Sequence, residues 1–392
     1  MSIKSLILYL AISLVQFQNL SLSLASSRYD LTSFIFIFLV FRYLSIKQLN
    51  SRKTLYVFLF IIFQVIVWLN FQYAPFHRLA SGLIWFGGLV IIFLFGSDFK
   101  YNRKHVFFLL QFWFAFLSLI VILQKFILQY PRPLGFMDEP SLAGLLLVGG
   151  LAMNTNELLT KESNKGIFKS FNLLMIILLA FSAFLTKTSH IITYLISLCI
   201  VLFSVNNKTW LIKSSTILAL LLLPLFVFFD SQHYLDRFYF SDISDISNIS
   251  TLSWLRGFSQ VSHVISESPL FGFGLGSIGY FPFQSDFSVL LEKQGVGYLN
   301  LYDSYSGFFR VIIELGTIGP LTFLSYIVSQ IINFCQKSYQ LPLSMNDNYS
   351  KPLFILGITL LFGFLIKEPA YGRSFVSLSI FLITSNRISP RC

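Results

Sequence analysis

The sequence predicts an all-α, polytopic membrane protein of about twelve transmembrane helices with one large external loop, and three observations lead there. Its 392 residues are 55% hydrophobic and only 11% charged, with a mean hydropathy of +0.73. Such a chain lacks the polar surface that a water-soluble globule of this size needs. Apolar runs of about 17 to 25 residues, long enough to cross a bilayer, recur from one end to the other. Basic residues collect in alternate connections between those runs, the pattern of cytoplasmic loops.

The runs fall near 5–24, 31–48, 54–70, 79–96, 105–128, 140–157, 167–186, 189–205, 210–229, 305–334, 352–367 and 372–388. Lys4 and Ala25-Ser26-Ser27 frame the first run like a cleavable leader, but its length and the spans that follow favour a retained helix. With the N-terminus inside, the inner loops hold Arg42, Lys47, Arg52 and Lys53, then Lys100, Arg103 and Lys104, then Lys161, Lys165 and Lys169. Lys208 and Lys213, Lys337 and Lys351, and Arg387 and Arg391 continue the series. Both termini are thereby expected in the cytoplasm and the polar segment 230–304 outside. The chain divides into an N-terminal bundle of about nine helices (1–229), the external loop (230–304) and C-terminal helices (305–392).

The net charge of +11 follows from this topology signal, since the cations form no dense patch of the kind that binds nucleic acid. Cys199, Cys335 and Cys392 have neither metal-ligand spacing nor the look of a disulfide framework. Arg28, Arg78, Lys125, Arg132, Lys187, Arg237, Arg256, Lys293, Arg310, Lys367 and Arg373 fall on the outer side against the charge rule, so some of them need another reason.

Within the loop, Trp254, Phe258, Val261 and Ile265 recur at i, i+4, i+7 and i+11, the period of an amphipathic helix. Arg256, Gln260, His263 and Glu267 repeat the spacing two residues out of phase, about 200° around the helix. The apolar stripe is expected to rest on the bundle or the lipid surface, with Arg256 and His263 turned toward a ligand. Thr251 or Ser253 can cap the start, and Pro269 ends the helix by disfavouring helical backbone at Ser268. Gly272, Gly274 and Gly276 follow, a backbone able to bend sharply or lie against a ligand.

Five groups carry chemistry. In QYPRPLGFMDEPS at 129–141, Arg132 offers a planar fork that suits phosphate oxygens, and Glu139 precedes a helix that Pro140 can start. The same residues also read as an ordinary turn with a carboxylate at a helix N-terminus. The hairpin Leu185-Thr186-Lys187-Thr188-Ser189-His190 is either a short polar turn or a group of donors at the floor of a site. Arg310 and Glu314 sit i, i+4 inside an apolar stretch, where a mutual ion pair explains both. Asp303 caps the helix that follows or serves as a base. His263 is the histidine on the polar stripe of the loop helix, a hydrogen-bonded surface group or a catalytic one. No HExxH, Walker or GxSxG pattern occurs, and no carboxylates stand at metal-ligand spacing, so neither a metal nor a cofactor is expected.

The order of these motifs resembles the O-antigen polymerase and ligase superfamily of membrane glycosyltransferases. PRPLGFMDEPSLAG at 131–144 is similar to its R-x-x-G-x-x-x-E-P-(S/N)-x-x-A signature, and LTKTSH at 185–190 to its T-x-S-R before an apolar helix. PLFGFGLG at 269–276 resembles the P-L-x-G-x-G-x-G of the external loop, and IIELGTIGPLTF at 312–323 the E-x-G-x-x-G segment after it. The resemblance implies a GT-C-like helical bundle in the bacterial inner membrane, its loop periplasmic. It implies transfer of an oligosaccharide from undecaprenyl pyrophosphate to an acceptor sugar, inverting and without metal. Arg132, Arg256, Arg310, Arg373 and His190 would hold the pyrophosphate, while His263, Asp303 and Glu139 would serve the acceptor. His190 stands where the family has arginine, and Asp303-Ser304 where ligases have histidine and asparagine. A Wzy-type polymerase working on lipid-linked repeat units, with a chain-length regulator as a possible partner, is therefore placed ahead of a ligase. An exporter or flippase is the alternative from another class.

Overall fold

Residues 3–15, 21–24, 27–30, 33, 35, 37–38, 52–99, 101–137, 139–160, 166–187, 190–204, 249–302, 304–337, 349–367 and 373–386 are described in a computed structural model. Of the expected spans, 210–229 lies outside these residues and 31–48 lies mostly outside them.

The described helices are α1 (Ile3–Leu14), α2 (Arg52–Phe71), α3 (Phe76–Phe95), α4 (Arg103–Phe126), α5 (Pro140–Thr160), α6 (Gly166–Leu185) and α7 (Ile191–Ser204). They continue with α8 (Ile249–Glu267), α9 (Asp286–Lys293), α10 (Gly307–Leu315), α11 (Ile318–Lys337), α12 (Ser350–Ile366) and α13 (Ser374–Ser385). Five are long and apolar enough to cross a membrane, namely α2, α3, α4, α5 and α11. Shorter apolar helices lie at Ser170–Leu185, Thr193–Leu202, Ser350–Ile366 and Ser374–Ser385. The chain is a helical, membrane-embedded protein.

The most buried of these spans is not the most apolar. The span of α2 has mean hydropathy 2.2 and is 11% buried, whereas that of α5 has only 1.3 and is 89% buried. α5, rich in small and polar side chains, becomes the centre. Around α5 pack α4, α6, α7 and α12, with α13 behind α12 and against α3. Close approach is possible because the ring of Phe114 and the side chain of Leu356 lie against Gly150 and Gly149. Inside this core Gln111 Nε2 donates to Asn154 Oδ1 (2.8 Å) and Asn172 Oδ1 (3.2 Å), an interhelical polar clamp among α4, α5 and α6.

Two expected spans differ. The run at 5–24 stops being helical at Leu14, and strands β1 (Ser21–Leu24) and β2 (Ser27–Asp30) pair antiparallel from Ser21↔Asp30 to Leu24↔Ser27. The alternation Ser21-Leu22-Ser23-Leu24 has the period of a strand, which an average over hydropathy hides. The run at 305–334 is two helices. Gly316 has φ +65°, and its N–H still bonds to Ile312 O at 2.8 Å, so α10 closes there and α11 starts in a new direction.

Candidate functional site

The loop helix α8 keeps its predicted end: Glu267 is its last residue, and Pro269 follows. Its described start is Ile249, so Thr251 and Ser253 lie inside the helix rather than capping it. Its two stripes do not separate as expected. Trp254 (41% exposed), Phe258 (54%) and Ile265 (43%) face outward but Val261 of the same stripe is buried, and of the polar stripe Arg256 and Gln260 face the protein while Glu267 is exposed. On the inner face Asn300 Nδ2 donates to Ser253 Oγ at 3.1 Å, and α8 packs on α9 and α10.

Arg256 is turned into the protein. It is 1% exposed, and its two terminal nitrogens donate to Gly297 O (2.7 Å) and Leu299 O. Burial pulls its guanidinium pKa down, and the charge of Glu292 pushes it back up. It thereby ties α8 to the segment between α9 and α10.

The glycine turn after α8 is not a flexible strap. Phe273 N–H bonds to Ile313 O (2.9 Å), Gly274 N–H to Glu314 O (3.1 Å) and Gly276 N–H to Glu314 Oε1 (3.1 Å). Thr317 donates to Pro269 O from both N–H (2.9 Å) and Oγ1 (2.7 Å), and Ser268 Oγ donates to Gly272 O (2.9 Å). Gly272, Gly274 and Gly276 have φ of +66°, +90° and +79°, a conformation that suits glycine. At Gly272 a methyl group would stand 2.5 Å from Gly316 N and 2.6 Å from Ile313 O. At Gly276 it would meet the Arg78 carbonyl at 2.7 Å. The turn is wedged between the α10–α11 break and the first turn of α3.

That wedge gathers the charges. Glu314 is fully buried, and the Oε1 that accepts from Gly276 also accepts from Arg310 Nε at 3.4 Å, the expected i, i+4 pair. Beyond Gly276, Arg78 donates from Nε to Tyr280 Oη (3.2 Å), and its guanidinium carbon lies 5.8 Å and 5.2 Å from the ring centroids of Tyr280 and Tyr302. In the sequence Arg78 is one outer cation among many. The signal that could have singled it out was its breach of the charge rule beside the aromatic-rich loop.

His263 stacks on Phe283 (4.4 Å, 10°) and lies edge-on to Phe273 at 6.0 Å. It thus borders the turn through an aromatic slot that Phe281 completes. Asp303 falls outside the described residues. On either side of it Asn300, Ser304 and Tyr305 have φ of +52°, +61° and +65°, and such left-handed residues cost on the order of 1 to 3 kcal/mol each and gather at functional sites. Ser306 caps α10, accepting from Phe309 N–H at 3.2 Å, the role that Asp303 was one candidate for.

Arg132 is half-buried in a loop held by Gln124, whose Oε1 accepts from Leu134 N–H (2.9 Å) and Gly135 N–H (2.8 Å). Glu139 is exposed beside the start of α5 and accepts from Ser141 Oγ at 3.1 Å. His190 is buried at the start of α7, and Arg373 directly precedes α13. The structure thus joins Gly272, Gly274, Gly276 and Arg310 in one group with Glu314 and Arg78, places His263 at its edge, and gives Arg256 to a separate set of bonds. Among the described residues no group of three or more His, Cys, Asp or Glu could hold a metal ion. No protein-family model and no curated protein matches this chain.

Proposed function

We propose that the chain is an inner-membrane oligosaccharide polymerase of the GT-C type with about twelve spans, its loop periplasmic and both termini cytoplasmic. It would transfer a repeat unit from undecaprenyl pyrophosphate to the end sugar of a second lipid-linked unit, with inversion and without a metal. The observation that carries this reading is the single group formed by Arg78, Arg310, Glu314 and the glycine turn at one end of an apolar bundle. A lipid-linked pyrophosphate leaving group stays at the membrane boundary and needs fixed positive charge as the glycosidic bond breaks. Arginines anchored by a carboxylate and by tyrosine rings supply that charge without reorganising.

In this reading Arg78 and Arg310 hold the pyrophosphate, with Arg132, His190 and Arg373 as further donors. His263 or Asp303 orients or deprotonates the acceptor hydroxyl, Glu139 positions Arg132 or the acceptor, and Arg256 serves the loop rather than the phosphate. An exporter would need charge strung along a path through the bilayer, whereas this group lies at one end of the bundle. Glycan analysis of a strain lacking the chain tests the proposal. Single repeat units on the core are expected; free lipid-linked polymer would point to a ligase, and unprocessed lipid-linked units held in the cytoplasm to a flippase.

A further inference from the structure

On α8 Trp254, Phe258, Ser262 and Ile265 form one exposed row, and the exposed Leu270 and Phe271 continue it into the glycine turn. The row carries no charge; the exposed Glu267 lies about 200° around the helix from Ile265. An exposed apolar strip of this length marks a contact with lipid or with another protein. Its lower end decides between them. Ile318 N–H bonds to Leu270 O at 3.4 Å, and the ring of Phe271 lies edge-on to that of Phe63 at 5.3 Å. Ile318 opens α11 and Phe63 belongs to α2, both long and apolar enough to cross a membrane, and these spans are only 22% and 11% buried. The strip therefore continues directly onto two faces that lipid covers.

Depth can be read along the same helices. The 20 residues of α2 match the thickness of a hydrocarbon core, so its end at Phe71 marks the membrane boundary. Phe63 lies eight residues before that end, about 12 Å along the helix. Leu275 packs on Gly82, six residues after α3 starts at Phe76, about 9 Å along it. The turn thus reaches the level of acyl chains. Non-helical backbone at that depth needs partners within the protein, and the bonds from Phe273 and Gly274 to Ile313 and Glu314 supply them. The other end of the strip sits higher. The stacked rings of Trp254 and Phe258 (5.9 Å, 13°) both touch Phe309, and Gly307 beside it lies against Phe364 in the last turn of α12. That is the level of the helix ends, where the amphipathic ring of tryptophan is favoured. We propose that α8 is an interfacial helix whose exposed strip is covered by bilayer lipid, from Trp254 at headgroup level down to Leu270 and Phe271 among the acyl chains. The inference does not depend on the polymerase reading, because it concerns what covers the loop and not what the loop acts on.

The test is tryptophan quenching on the full-length protein in lipid nanodiscs. The emission of Trp254 is the difference between the wild type and Trp254→Phe, a change that keeps an aromatic ring on Phe309. Lipids with a nitroxide near the top of the acyl chain should remove most of that emission, and acrylamide in the water should remove little. Leu270→Trp in the Trp254→Phe background should emit further to the blue and respond more to a nitroxide deep in the chain than to one near its top. Ile265→Trp gives a second reading on the strip if Leu270→Trp fails to fold, and it should lie between the two. Lys293→Trp, at an exposed charged position on α9, should respond chiefly to acrylamide. Acrylamide quenching of Trp254 equal to that of Lys293→Trp would place the strip in water and overturn the proposal. Protection of Trp254 from both quenchers would put a protein surface over it, with the same result. A tryptophan at 270 or 265 no deeper than Trp254 would remove the descent into the acyl chains.

Discussion

Gly272→Ala tests whether the glycine turn is a fixed wedge. The added methyl would sit 2.5 Å from Gly316 N, 2.6 Å from Ile313 O and 2.9 Å from Glu314 C, all backbone atoms that cannot swing aside. Holding an alanine at φ +66° adds about 1 to 2 kcal/mol of its own. Moving the turn away to relieve the contact weakens two main-chain hydrogen bonds, from Phe273 to Ile313 and from Gly274 to Glu314, at about 1 kcal/mol each. The docked turn should therefore lose about 3 kcal/mol, a shift on the order of a hundredfold in its opening equilibrium. Hydrogen exchange read by mass spectrometry on peptides covering 268–280 should show that loss of protection, while α5 and α12 keep theirs. Polymer growth should fall with it. Exchange unchanged from the wild type would refute the wedge, and collapse of protection throughout the bundle would show that the change acts on global folding instead.

Other outcomes follow from the same geometry. Arg256→Ala strips the donors from Gly297 O and Leu299 O and should cost about 3 kcal/mol, seen as a lower midpoint of thermal unfolding; Arg256→Lys, which lacks the planar fork, should recover only part of it. Arg78→Ala should leave the protein inserted and folded yet slow polymer growth by at least about tenfold, with Arg78→Lys intermediate, since a phosphate contact depends on charge and its geometry on the guanidinium. Normal chain lengths in Arg78→Ala would remove it from the site. Polymerisation in membranes should persist after chelation of divalent metals, and strict dependence on added metal would count against the proposed chemistry.

The helices at the centre were legible because hydropathy and proline mark them. Pro140 opens α5, Pro269 follows the end of α8, and the spacing of Arg310 and Glu314 anticipates their contact. What could not be read was direction. Periodicity marks two stripes on α8, but Val261 lies buried beside Arg256 and Gln260, because in a membrane protein an apolar side chain has two suitable neighbours, lipid and core. Only the carbonyls of Gly297 and Leu299 decided that Arg256 goes inward. The break at Gly316 was hidden for a similar reason, since an apolar run stays apolar whether or not its backbone turns. Arg78 was missed because its aromatic partners Tyr280 and Tyr302 lie more than two hundred residues away, at a separation set by the fold.

Glu314 ties these features into one mechanism of positioning. Its Oε1 accepts from both Arg310 and Gly276, so one carboxylate fixes a cation on its own helix and the turn that packs on α3 and Arg78. The two bonds separate in variants. Glu314→Gln keeps an acceptor for the Gly276 N–H while removing the negative charge, so the turn should stay protected from exchange as Arg310 loses its orientation. Glu314→Ala removes both and should release the turn as Gly272→Ala does. Arg310→Met leaves a buried carboxylate without its cation, a change on the order of 3 to 5 kcal/mol for a buried pair, and should be the least stable of the three. If Glu314→Gln instead frees the turn as fully as Glu314→Ala, the ion pair and not the hydrogen bond to Gly276 holds the wedge, and the order of cause runs from Arg310 to the loop.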